Sequence, residues 1–124
     1  MKILIIDTYY PEFLKNAYNS QPEYRTKTYH EQKKWLENFL FGTSNFYSKN
    51  LRGIGVEADE LIVDNFFLQK QWGEEHNIKT LHIPPIPFLG IIAERYQLIR
   101  LLKKQIAEEK PDVLYFPNLA FCDP

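Results

Sequence analysis

The chain opens on Lys2-Ile3-Leu4-Ile5-Ile6, a short apolar run that ends at the carboxylate of Asp7 and leads into the polar, aromatic turn Asp7-Thr8-Tyr9-Tyr10-Pro11. An unbroken aliphatic run of this length is the pattern of a strand buried on both faces, as strands of parallel sheets are. A helical stretch follows over residues 12–19, so the expected architecture is a doubly wound α/β domain with a parallel sheet. In such folds ligands gather beyond the carboxyl ends of the strands, which directs attention to the loops that follow them.

The far end repeats the pattern. Asp112-Val113-Leu114-Tyr115-Phe116 reads as a third strand and runs into Pro117-Asn118, while Asp123-Pro124 is a helix-start signal, N-cap followed by N1. The expectation is the front part of a larger protein. At 124 residues, with 44% hydrophobic and 15% aromatic content, residues 1–124 have the material for one domain with a real core. Fifteen basic against sixteen acidic residues leave a formal charge of −1, so no global field argues for a nucleic-acid backbone or an anionic membrane.

Cys122 is the single cysteine and cannot close an internal disulfide. With no secretory signal, the expected compartment is the cytoplasm. No apolar run reaches the roughly 18–20 residues that cross a bilayer, though a peripheral association with a membrane is compatible with the sequence. His30, His76 and His82 are scattered, with no partner at ligand spacing, and no Asp-x-Asp pair occurs. No metal site is expected.

Between the outer strands, Thr28-Tyr29-His30-Glu31 spells a capping box, and the helix it starts is expected to run to about residue 41 with Tyr29, Trp35, Leu36, Phe39 and Leu40 on its apolar stripe. After the break Gly42-Thr43-Ser44, Thr43 or Ser44 can cap a helix carrying Phe46, Tyr47, Leu51 and Ile54, which Gly53 and Gly55 end. A second strand is expected within residues 57–65, then a helix through Gln69 and Trp72 capped by Asp64 or Asn65. Pro84, Pro85 and Pro87 punctuate a loop. From about residue 90 to 109, Ile92, Tyr96, Ile99, Leu102 and Ile106 recur at helical spacing.

The segment from Gly42 to Ala58, with Gly42, Leu51, Gly55 and Glu57 at the marking positions, resembles the N-terminal domain of GT-B glycosyltransferases of the family-4 kind. There a glycine turn precedes a helix and a Gly-x-Glu corner enters the second strand. Lys110-Pro111-Asp112-Val113 is similar to that family's Pro-Asp-Val strand, and Asp7-Thr8-Tyr9-Tyr10-Pro11 with Phe41-Gly42-Thr43 resembles its CgeB-like branch. The chain departs from the commoner pattern in having one glycine at Gly42 instead of two, and Val56 where histidine is frequent.

The resemblance implies a Rossmann-like sheet with strand order 3-2-1 in the part present. It implies an acceptor-side domain for a carbohydrate or other hydroxyl acceptor, and a second, donor-binding domain as partner. The nucleotide-sugar donor is then a substrate, with no cofactor and no metal.

On that basis each candidate residue has two readings. Asp7 is either a base toward an acceptor hydroxyl or a cap of its own turn. Thr8, Tyr9 and Tyr10 either meet the acceptor, with the aromatic rings stacking on a sugar, or cover the strand ends. Asn118 either bonds a ligand hydroxyl or serves a turn. Gly42, Thr43 and Ser44 either face the donor phosphate at a helix N-terminus or cap that helix.

Two rivals come from other classes. A receiver-like signalling module would need a phosphoacceptor where Pro117 stands and paired acids after the first strand, where only Asp7 is present. A non-enzymatic ligand-binding α/β module shares the architecture, because fold alone does not fix function.

Overall fold

The structure, a computed structural model, describes residues 1–80 and 83–118; Cys122 and the expected helix start at Asp123-Pro124 lie outside the described residues. In chain order come β1 (Lys2–Asp7), α1 (Pro11–Ser20), a 3-10 turn (Pro22–Thr26), α2 (Tyr29–Glu37), α3 (Phe46–Gly53), β2 (Glu57–Ile62), α4 (Phe66–Glu75), α5 (Pro87–Glu109) and β3 (Val113–Tyr115). The class is α/β with a parallel, three-stranded sheet, as expected for a Rossmann-like fragment.

The strand order is β2-β1-β3, not 3-2-1. β1 is the run with the strongest claim to burial on both faces, and it takes the middle. Lys2 pairs with Glu57 and Asp7 with Ile62 on one side, while Ile3 pairs with Val113 and Ile5 with Tyr115 on the other. Asp112 fastens the second pairing: its amide donates to the Lys2 carbonyl at 2.9 Å, and its carboxylate accepts from the Lys2 amide at 2.7 Å. Lys33 of α2 forms an ion pair with Asp59 of β2.

Two cores flank the sheet. Leu4, Ile6, Leu61, Val63 and Leu102 of α5 pack on one side, with Ile106 and Phe116 against them. The other cluster joins Tyr9, Ala17, Tyr18, Trp35, Leu36, Ile62 and Leu68. It contains a polar network that amino-acid periodicity does not announce. The Tyr18 hydroxyl donates to Gln32 Oε1 at 2.8 Å and accepts from Asn65 Nδ2 at 2.9 Å, tying α1, α2 and the start of α4 together. Buried polar groups must be paired to be tolerated, so this network also fixes which helices meet.

Local signals held where they were strongest. Thr28 and Glu31 form the expected capping box, Oγ1 accepting from the Glu31 amide at 3.2 Å and the Glu31 carboxylate accepting from the Thr28 amide at 3.0 Å. Thr28→Ala is expected to lower stability by about 1 kcal/mol, read as a fall in urea midpoint at unchanged slope. Asn65, and not Asp64, caps α4 by accepting from the Leu68 amide. Gly55, at φ +84°, closes α3. Its amide donates to Arg52 O and the Val56 amide to Leu51 O, the paired bonds of a left-handed helix terminus that favours glycine.

Three expectations need correction. α2 stops at Glu37, not near 41, because the 3.1–3.2 Å bonds from Phe39 to Leu36 and from Leu40 to Glu37 tighten the chain into a turn in which Leu40 turns left-handed and faces solvent. Neither Thr43 nor Ser44 caps α3. Asn45 occupies the cap position without a side-chain bond, and the buried Glu60 carboxylate of β2 accepts from the Ser48 amide at 2.8 Å instead. α5 begins at Pro87, and its buried face is Gln97, Leu98, Leu101, Leu102 and Gln105, leaving Ile92 and Tyr96 exposed. Of the expected stripe, Leu102 is buried and Ile106 packs against the same core, while the packed face is shifted toward Gln97, Leu101 and Gln105.

Candidate functional site

Because β3 lies beside β1, the chain changes direction across the sheet between these two strands. That is the topological switch point where ligands of open α/β sheets sit, beyond the carboxyl ends. A cavity of about 210 Å³ occurs there, lined by Asp7, Thr8, Tyr9 and Tyr10 after β1, Phe41, Gly42 and Thr43 before α3, and Pro117 and Asn118 after β3. Whole ligand sites span roughly 300–1,000 Å³, so this crevice has room for one ring-sized group.

Asp7 is the charged side chain of this lining. It is 8% exposed; Oδ1 accepts from the Thr8 amide at 2.9 Å, and Oδ2 accepts from the Thr43 hydroxyl at 3.4 Å. Burial pushes its carboxyl above the ordinary carboxylate range, against the pull of those two donors. An ionised carboxylate has about four acceptor sites, so Asp7 retains capacity for a ligand proton. It therefore combines both readings given to it, capping its own turn while lining the cavity.

The two tyrosines divide. Tyr9 is 3% exposed, with its ring against Phe13 and Phe41 at centroid distances of 5.8 and 5.9 Å, so it covers the strand end. Tyr10 is 71% exposed and meets Phe41 edge-on at 5.6 Å, leaving its face to a ligand. Thr8, Gly42, Thr43 and Asn118 line the same space. Ser44 does not: it is buried, at φ +44°, with its hydroxyl donating to Glu37 O at 2.8 Å.

The amides at this corner are partly committed. Ser44 N donates to Phe41 O, Phe46 N to Thr43 O, and Ser48 N to Glu60. A negative carboxylate thus already sits at the first turn of α3, the place where an anion would otherwise be favoured.

Sequence reasoning missed the residue that holds the turn. Asp64, two residues past β2, accepts the Tyr9 amide with both oxygens, at 3.0 and 3.1 Å. It is 55 positions from its partner, and its local pattern offered only a helix-cap role. Burial first, then the neighbouring charge of Asp7, push its carboxyl up to about 6, with the Tyr9 amide and its own amide opposing. Among the described residues, no group of three or more His, Cys, Asp or Glu side chains is arranged to hold a metal ion, and no helix is long and apolar enough to cross a membrane.

A larger cavity, about 530 Å³, lies between α3 and β3 and is lined by Ile3, Leu51, Val113 and Tyr115 among others. Asn50 and the tyrosine hydroxyls are its polar groups, so it offers packing surface and little chemistry. Comparison of the chain with protein-family models, with curated proteins and with solved structures returns no match.

Proposed function

We propose that the chain is the acceptor-side lobe of a GT-B-type glycosyltransferase, with the switch-point crevice holding a hydroxylated acceptor and a second α/β lobe supplying the nucleotide-sugar donor. The observation that carries this reading is convergence. Residues from three distant loops, chosen on sequence as acceptor- or donor-facing, line one crevice at the carboxyl ends of β1 and β3. A carboxylate, hydroxyls, an amide and an aromatic face are the groups that orient a sugar, and the crevice's single-ring size suits half of a site shared between lobes. In this reading Asp7 draws the proton from the attacking hydroxyl, helped by a raised affinity for that proton. The receiver-like alternative is disfavoured by Pro117, which lies in the crevice and has no group to phosphorylate.

Neutral monosaccharides, titrated into the chain, are expected to move the amide resonances of Thr8, Tyr10, Thr43 and Asn118. Gly42→Val should weaken that binding about tenfold or more. Nothing lies within 4 Å of a Cβ built at Gly42, but its φ of +57° strains a β-branched residue and would re-aim the turn. Absence of any sugar-dependent shift at these residues would remove the reading.

A further inference from the structure

The charge around the crevice narrows the ligand further. Its lining holds Asp7 and, among the described residues, no lysine, arginine or histidine. Behind Asp7, Asp64 grips the Tyr9 amide and contributes a second negative charge close enough for the two acids to influence each other. The other titratable groups that sense Asp7 are Tyr9 on the same turn and Tyr47 of α3. Both are neutral phenols at physiological pH, so neither offsets the two carboxylates. Glu60 seals the first turn of α3 with another acid. A phosphate placed here would meet acids without a counter-ion, whereas a cation would relieve a buried carboxylate that its surroundings solvate poorly.

The walls point the same way. Tyr10, exposed at the rim, offers its ring to a positive charge, and Phe41, stacked on Phe13 at 4.0 Å, holds it from the side. Thr8, Thr43 and Asn118 supply hydroxyl and amide groups for neighbouring hydroxyls of the same ligand. Among the described residues, Asp7 accepts one short bond, from the Thr8 amide, and the Thr43 hydroxyl stands at 3.4 Å.

We propose that the crevice selects a hydroxylated amine, such as an amino sugar, binding its ammonium group against Asp7 beside the exposed Tyr10 ring. This inference rests on the acceptor reading for the hydroxyl part of the ligand, and for an amine ligand it gives Asp7 the role of holding the ammonium in place of drawing a proton.

The test is a titration of the whole chain, followed by the Thr8, Tyr10, Thr43 and Asn118 amide resonances, with three probes of one shape. They are methyl 6-amino-6-deoxyglucoside, whose aliphatic ammonium stays charged at pH 7, its N-acetyl derivative and methyl glucoside. Inorganic phosphate is the fourth probe. The amine is expected to bind roughly tenfold more tightly than the two neutral sugars. That preference should shrink in high salt, and again as acid protonates Asp7. Asp7→Asn should bring amine affinity down to that of the neutral sugars; if that variant fails to fold, the salt dependence of the wild-type protein decides.

Equal affinity for amine and neutral sugars would overturn the inference and leave the acceptor reading standing. Shifts of the same amides with phosphate, and none with the amine, would overturn it as well. No response to any sugar would remove both.

Discussion

Leu4→Ala is expected to lower the unfolding free energy by about 3 kcal/mol, within the roughly 2–5 kcal/mol range for emptying a buried leucine site, while Leu114→Ala costs less than about 1 kcal/mol. The two leucines are register partners on adjacent strands. Leu4 is fully buried against Ile6, Leu61, Val63 and Leu102, whereas Leu114 is 38% exposed. Their difference therefore measures the position of β1 in the sheet. A central β1 surrounds Leu4 with neighbours that cannot collapse into the space left behind. If β2 stood in the middle and β1 at an edge, the side chain of Leu4 would lose part of its surroundings and the two costs would converge. Urea midpoints compared at equal slope supply the measurement, and similar losses for both variants would overturn the order β2-β1-β3.

That order was the part of the fold the residues did not disclose, for a physical reason. β1, the capping box at Thr28 and Glu31, and the glycine terminus at Gly55 are set by neighbours within a few positions, so local pattern suffices to place them. Which strand lies beside β1 is decided by Asp112 clasping both polar backbone groups of Lys2, contacts that span 110 positions. Contacts across 12 and 55 positions likewise hide Glu60 at the first turn of α3 and Asp64 under the Tyr9 amide. Both look in the sequence like ordinary acids in or just past an edge strand. The glutamines of α5 misled more directly, since Gln97 and Gln105 read as solvent-facing yet lie on the buried face.

The rim that holds the crevice was easier to foresee, because class alone puts ligand loops at the carboxyl ends of the strands. A parallel sheet places the loops after β1 and β3 at one rim, and the adjacency of β1 and β3 in the order β2-β1-β3 then brings Asp7, Thr8, Tyr10 and Asn118 into one crevice. Tyr9 and Ser44 show the limit of that logic. A loop position says nothing about whether a side chain turns outward, and these two turn into the domain.

Asp64→Asn is expected to stabilise the protein at pH 7.5 by about 1–2 kcal/mol and to flatten part of its pH profile. A carboxyl that titrates near 3.8 in the open chain is pushed up to about 6 in the fold, chiefly by burial. Between those two values the folded state keeps a proton that the unfolded state has lost, so unfolding becomes easier as pH rises across the window. The contribution is largest below pH 4 and gone above pH 6, an upper bound of about 3 kcal/mol. Asparagine removes the charge and keeps an acceptor for the Tyr9 amide, though one oxygen where the carboxylate offered two, which is why only part of that figure is recovered. Asp7 and Glu37 are raised by burial and slope the same way, while Glu31, lowered by the Thr28 amide and hydroxyl, slopes oppositely. The readout is therefore the difference between wild type and variant, not either curve alone. Asp64→Ala separates charge from geometry: it also removes the charge but strands the Tyr9 amide, and should lose about 1–3 kcal/mol relative to asparagine. Matching pH profiles for wild type and Asp64→Asn would mean that Asp64 is hydrated enough to titrate normally, and its grip on the turn that carries Asp7 would then be too weak to shape the crevice.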